Sequence, residues 1–337
     1  MLRAMDAAVA GLRAHQNKMD VVGHNIANVN TFGFKAQTYT FKEAMYQTST
    51  ASTGGSAGAN GSAGANVAQY GYGALMGTIG MDMTASTPTY VGGFNASISG
   101  DGFFMVKPIK TTAAANSDGV KTNEFLFTRV GQFTLDNNGY VVDGDQNFVY
   151  GFYPEEDGDG YKTTGDNALV PLRMPTLAEL QAGLGTTDGV NPTFNATTYP
   201  SSSDADPANH PLISKKVSIN SAGDISVTAE YEVGGKKETK TFSLGAVAVA
   251  TFQNPNGVTK SGGNYYTTSK NDNAGNASAG IPGGVNPALM TGYVEASNVD
   301  LAKEFADMIT THRGFQSNTK MITVSDEMLS DLVAMKR

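Results

Sequence analysis

Four carboxylates in the stretch EEDGDGYKTTGD come nearest to a chemical site. Counted from Glu155, acidic side chains fall at loop positions 1, 3, 5 and 12, namely Glu155, Asp157, Asp159 and Asp166, with Gly160 at position 6. That is close to the spacing of oxygen ligands around a hard cation in a calcium-binding loop. Against it, position 1 is Glu rather than Asp, and the Asp at position 12 reaches less far for bidentate binding. The preceding FVYGFYP reads as a strand ending in Pro, with no flanking helix pair. The stretch is therefore read as a solvated acidic turn, with a weak Ca²⁺ site and a Ca²⁺-dependent binding module as the competing expectation.

The other chemical patterns are weaker. GGSAG at 54–58 matches the nucleophile-elbow pattern, but no apolar strand precedes Ser56 and no helix follows it, so the strained turn that exposes such a serine is missing. His15, His24, His210 and His312 are scattered and form no ligand pair of the H-E-x-x-H kind. GDGFFM at 100–105 lacks the third glycine of a dinucleotide fingerprint and reads as a turn entering an aromatic strand. The absence of cysteine excludes disulfides, thiolate catalysis and cysteine metal sites. Neither an enzyme nor a cofactor is expected.

A chain of 337 residues suggests two or more compact units. Only 16% of residues are charged, the net charge is -8, and no basic stripe exists to neutralise phosphates, so nucleic acid is not an expected partner. Arg3, Asp6, Arg13, Lys18 and Asp20 interrupt the N-terminal segment, which argues against a cleaved secretory signal. No apolar run approaches the roughly 18 residues of a membrane-spanning helix. Membrane insertion is not expected.

The elements that carry this chain lie at its ends and in its middle. Near the N-terminus, Leu2, Met5, Val9, Leu12, Met19 and Ile26 recur at steps of three and four, broken by Gln16 and Gly23. Near the C-terminus, Leu301, Phe305, Met308, Phe315, Ile322, Leu329 and Val333 fall on one heptad seam, broken by His312, Thr319 and Asp326. Ser297 with Asp300 three residues on resembles a capping box for the second helix. Such narrow stripes are marginal alone and need a partner surface, either within the chain or between chains. Between them the pattern is β: NASISGDGFFMV, NEFLFTRVGQFTL, KVSIN, DISVTAEYEV and ETKTFSLG read as strands, with one short helix at TLAELQAGL. Asn138-Gly139 predicts a two-residue hairpin turn. GSAGAN occurs twice in tandem within a low-complexity stretch at 47–68, which reads as a flexible loop.

NIANVNTFGFK after the first helix, ISGDGFFMV, FTRVGQFTLDNNGYVVDGDQNFVYGF and the ending GYVEASNVDLAKEFADMITTHRGFQSNTKMITVSDEMLSDLV together resemble the bacterial flagellar rod and hook proteins. The resemblance covers residues 1 to about 48, about 70 to 153 and about 244 to 337, and the ending is most like that of hook subunits. It implies a structural subunit, exported uncleaved through the flagellar type III apparatus and polymerised with itself into a helical tube, an extracellular bendable joint that passes torque to the filament. A distal rod subunit, forming a straight shaft, is the alternative. Implied partners are further copies of the chain and the neighbouring rod, hook-cap and hook–filament junction proteins. The expected fold is mixed: paired coiled-coil-like helices from the two termini (1–30 and 293–337), a linker at 31–86, an inner β domain (87–153 and 244–292) and an outer β domain (154–243) nested between them. The two helical seams become the subunit-assembly surface. Asn25, Ile26, Asn28, Thr31, Gly33, Phe34 and Lys35 become the junction where the chain leaves the helical layer, with Phe32, Phe34 and Lys35 expected to touch neighbouring subunits.

Overall fold

The computed structural model describes residues 2–55, 63–108, 113–115, 120–121, 125–136, 139–152, 161, 165–173, 216–233, 236–268 and 276–335. It has a helix near each end and a middle built mostly of strands, in two compact units. The first unit holds Met1–Asn30, Lys35–Asp82 and Val299–Arg337; the second holds Thr31–Phe34 and Met83–Asn298.

In the first unit, helix α1 spans Leu2–Ala27 and helix α2 spans Leu301–Met335. α1 is rich in alanine and free of proline, a composition of favourable helix propensity. Immediately beyond it, Asn28 donates from Nδ2 to the His24 carbonyl at 2.9 Å, satisfying one of the last helical acceptors. At the start of α2 the cap is Asp300, not the expected Ser297. The Asp300 carboxylate accepts from the amides of Ala302 (2.9 Å) and Lys303 (3.3 Å), and its carbonyl accepts the first helical bond from Glu304. The Ser297 carbonyl instead takes a bond from the Ser86 hydroxyl.

Residues 31–86, expected as a linker, carry strands. β1 (Gln37–Glu43), β2 (Tyr46–Thr50), β3 (Ala68–Gly71) and β4 (Ala74–Met81) form a hairpin in two steps. β1 pairs β4 from Gln37↔Met81 to Glu43↔Ala74, and β2 pairs β3 from Tyr46↔Gly71. The Asp82 amide bonds the Ala36 carbonyl and closes the base. The ends of the low-complexity stretch are thus strands, while residues 56–62 at its centre lie outside the described residues.

The second unit is organised on β7 (Phe103–Lys107), which follows β5 (Pro88–Tyr90) and β6 (Ala96–Ile98). β7 pairs with Leu126–Thr128, Phe148–Phe152 and Val249–Thr251 in registers Phe127↔Met105, Val149↔Val106 and Val249↔Phe104. A strand buried on both faces reads as a continuous apolar run, as FFMV does. Its core contains Phe104, Val106, Phe133 and Val149, and the strands at 216–219, 224–233 and 236–247 add Ile219, Ile225 and Leu244 to the same core.

The predicted hairpin near Gly139 is present, with a different turn. The Asp136 amide bonds the Tyr140 carbonyl and the Gly139 amide bonds the Asp136 carbonyl, so three residues rather than two connect the strands, and Gly139 takes φ 81°. The short helix expected at TLAELQAGL lies outside the described residues.

Candidate assembly interface

The faces that α1 and α2 turn to each other are lined by small and polar residues. The helices run antiparallel: Lys18 Nζ lies 3.0 Å from Asp307 Oδ1, and Asn25 Nδ2 donates to Glu304 Oε1 at 3.0 Å. A Cβ added at Gly11 would stand 2.9 Å from Asn318 Nδ2, and one at Gly314 only 2.6 Å from the His15 ring. The close approach therefore depends on glycines. The buried positions of α1 are Ala8, Ala14, Val21, Val22 and Asn25. At 3.6 residues per turn their stripe lies roughly 120° around the helix from the expected seam.

The expected seam of α1 is accordingly only partly covered. Met5, Leu12, Met19 and Ile26 are half-buried and Val9 is exposed, while the Leu2 side chain lies outside the described residues. On α2 the expected seam divides. Met308, Phe315, Ile322 and Leu329 are half-buried on the stripe that also holds buried Glu304, Thr311 and Ser325, whereas Leu301, Phe305 and Val333 are exposed, Phe305 by 50% and Val333 by 68%. Ile309, Met321, Val324, Met328 and Leu332 are exposed as well. Hydrophobicity alone does not separate the face that packs within the chain from the one left open, because the covered positions of the two helices mix small, polar and large apolar side chains.

Asn25 is the pin of the helical unit. It is 1% exposed, donates from Nδ2 to the Gln37 carbonyl (2.8 Å) as well as to Glu304, and accepts from the Gln37 amide at Oδ1 (2.9 Å). It thus pairs with Gln37 as a strand residue would, and sets where β1 begins. Burial raises the Glu304 carboxyl above its ordinary pKa, and the Asn25 bond opposes this. Nearer the middle of α1, His15 is half-buried with its ring 5.3 Å from Phe41, its Nδ1 has no hydrogen-bond partner, and burial, then Lys18, lowers its pKa.

The segment 31–34 is fixed to the second unit. The Gly33 amide donates to the Glu295 carbonyl at 2.8 Å, Asn264 Nδ2 donates to the Phe32 carbonyl at 3.2 Å, and Lys260 Nζ stands 4.3 Å from the Phe34 ring centre. Gly33 takes φ 67°, and a Cβ there would meet Val130 Cγ2 at 2.8 Å, so only glycine fits both the turn and the space. Phe34 and Lys35 are buried within one copy, which leaves them little surface for the contacts to neighbouring subunits expected from the resemblance; Phe32, Thr31 and Asn28 are half-buried.

Under this segment lies an ion pair that sequence reasoning missed. Arg129 Nε is 3.2 Å from Glu295 Oε2, an ion pair rather than an aligned hydrogen bond, and both side chains are almost fully buried. Arg129 Nη1 also donates to the carbonyls of Gly100 (2.7 Å) and Gly102 (2.9 Å), and the Ser86 amide donates to Glu295 Oε1. The phrases SGDGFF, FTRVGQ and YVEAS therefore meet at one guanidinium. The available signal was a lone charge at the end of each of two short strand patterns, but nothing in the sequence pairs them.

The chemical candidates do not converge. Ser56, His210, Glu155, Asp157 and Asp159 lie outside the described residues; Asp166 lies in a strand at 165–171, and its side chain is not described. His24 and His312 are exposed. Among the described residues no three metal-ligating side chains cluster, and no helix is long and apolar enough to cross a membrane.

Residues 5–35 match the family described as Flagella basal body rod protein, and residues 290–335 the one described as Flagellar basal body rod FlgEFG protein C-terminal. Along its whole length the chain is similar to the Flagellar basal-body rod protein FlgG of Bacillus subtilis, with 34% identity over 339 positions covering 100% of both chains. It is also similar to the Flagellar hook protein FlgE of Borreliella burgdorferi, 26% identical over 454 positions and 100% of both chains, and to that of Salmonella typhimurium, 24% identical over 98% of this chain and 99% of the other.

Proposed function

This chain belongs to the flagellar rod and hook protein family, whose members are structural proteins of motility rather than enzymes, and on that footing we propose that it polymerises with itself into a helical tube cohering through its terminal helices. The observation that carries this reading is the row of large apolar side chains, Leu301, Phe305, Met321, Met328 and Val333 among them, that one copy leaves exposed on α2. Burying such surface between copies yields roughly 25 cal/mol per Å², and a helix that is marginal alone then becomes cohesive in the assembly. The assembly surface we assign is the expected seam, Met5, Val9, Leu12, Met19 and Ile26 of α1 with Leu301, Phe305 and Val333 of α2, together with the half-buried Met308, Phe315, Ile322 and Leu329. No cofactor enters this function.

Within the axial structure we assign the chain to the hook, supported by the resemblance of its ending to hook subunits and by its similarity to two hook proteins over nearly its whole length. The hook reading includes export through the flagellar type III apparatus, contact with rod, hook-cap and hook–filament junction proteins, and an outer layer of polar strands that slides as the tube bends. A distal rod subunit is the second reading, favoured by the 34% identity to a rod protein of matching length. Electron microscopy of tubes grown from the purified chain tests both steps. Curved tubes that change shape support the hook, rigid straight ones overturn it in favour of the rod, and a chain that forms no tube overturns self-assembly.

A further inference from the structure

The helical unit has a projecting helix end and, apart from it, an open groove. Each step forward along α1 is a step back along α2, with Gly11 at Asn318 and His15 at Gly314, so Leu2 falls opposite about residue 327 and the last two turns of α2 run past the start of α1. Those turns expose Met328, Leu332, Val333 and Met335 and carry Asp331. Elsewhere on the same unit a groove of about 370 Å³ opens between α1 and β4, floored by Val9, Ala10, Ala14, Leu75 and Met76 and edged by Asp6, Arg13 and Asn17. A benzene-sized group needs about 150 Å³, so the groove has room for two large apolar side chains.

Building on the self-assembly reading, we propose that the projecting end of α2 of one copy seats in the α1–β4 groove of the next, with Leu332 and Met328 entering the groove and Asp331 meeting Arg13. Three observations select a second copy as the occupant. The projecting turns are apolar and uncovered, the groove is largely apolar and open, and the one carries an acidic side chain, Asp331, where the other is edged by a basic one, Arg13. The two patches lie on different parts of the surface, so the contact is heterologous. A heterologous contact that does not close propagates as an open helix.

Because the chain has no cysteine, disulfide trapping reports this contact without background. Full-length chains carrying Val9→Cys and Leu332→Cys are mixed, assembled and oxidised. A mixed disulfide dimer is expected in tubes and not in dilute monomer, whereas Thr310→Cys in place of Leu332→Cys gives none. In an otherwise unaltered chain, Arg13→Glu is expected to raise the critical concentration for assembly about fivefold, and Asp331→Arg in the same chain to restore it. Tubes that form normally without the cross-link, and with Arg13→Glu behaving as the unaltered chain does, overturn the seating alone and leave self-assembly intact. An unaltered chain that stays monomeric at every concentration overturns both.

Discussion

Glu304 is the residue where position and titration pull against each other. It is 8% exposed, its one charge-assisted partner is the Asn25 amide, and burial raises its carboxyl above the ordinary value of 4.5. The folded state therefore holds the proton more tightly than the unfolded chain. Its contribution to stability is full below about pH 4.5 and is lost as pH climbs through the raised value. Glu304→Gln keeps an acceptor for Asn25 and removes the charge. The variant is expected to match the unaltered chain in urea near pH 4 and to equal or exceed it at pH 7, while Glu304→Leu strands an Asn25 donor and lowers stability by about 1–3 kcal/mol at both. A Gln variant less stable at pH 7 than at pH 4, relative to the unaltered chain, contradicts this assignment. The buried pair in the second unit gives a harsher test. Arg129→Met leaves Glu295 charged and buried and strips the donors from the Gly100 and Gly102 carbonyls, a loss of about 3–5 kcal/mol, and adding Glu295→Gln recovers part of it. Equal urea midpoints for the single and double variants mean that the charge of Glu295 is not what destabilises. Both residues stand inside phrases that mark the family, yet their pairing was not readable, since it depends on a strand topology that brings distant segments together. Asn25 was singled out as a junction residue, but its three bonds to Gln37 and Glu304 likewise required the fold.

At the scale of the element, the two helices, most strands and the hairpin at Gly139 could be read from periodicity and turn residues. The helix faces could not. A seam is recognised by large apolar side chains, but α1 and α2 approach each other closely at Gly11 and Gly314, where closeness rather than side-chain area does the packing. The strands of 37–81 were missed for a related reason: β1 and β2 are exposed almost throughout, so their side chains show no buried alternation to detect. Two glycines separate the faces experimentally. Gly314→Ala drives a Cβ into the His15 ring and is expected to cost about 1–3 kcal/mol in the dilute monomer. Gly23→Ala meets nothing within 4 Å and is expected to stabilise α1 by about 0.5–1 kcal/mol. Gly23 lies at a break in the proposed seam, so its effect on assembly is a separate readout. A variant more stable as a monomer yet slower to form tubes places a neighbouring copy at Gly23; unchanged tube growth moves that copy elsewhere along α1.

For the whole molecule, the question is which force dominates when copies meet. The chain carries a net charge of -8 with a pI near 5.0, so at pH 7 every copy repels every other. One ion pair such as Arg13 with Asp331 contributes at most about 1 kcal/mol when exposed. Apolar burial along the helices is not weakened by salt at these concentrations, and the repulsion is screened as the Debye length falls from about 30 Å at 0.01 M to about 8 Å at 0.15 M. Raising NaCl across that range at pH 7 is therefore expected to lower the critical concentration for assembly, and lowering the pH toward 5 at low salt to do the same. Sedimentation of the polymer against free chain measures both. The chain segment 83–298, which lacks both helices and the β1–β4 hairpin but keeps the core of the second unit, is expected to remain a folded monomer at every salt concentration. If salt instead raises the critical concentration of the full chain, ion pairs rather than apolar helix faces hold the copies together. If the 83–298 segment sediments as tubes, cohesion lies outside the helices altogether.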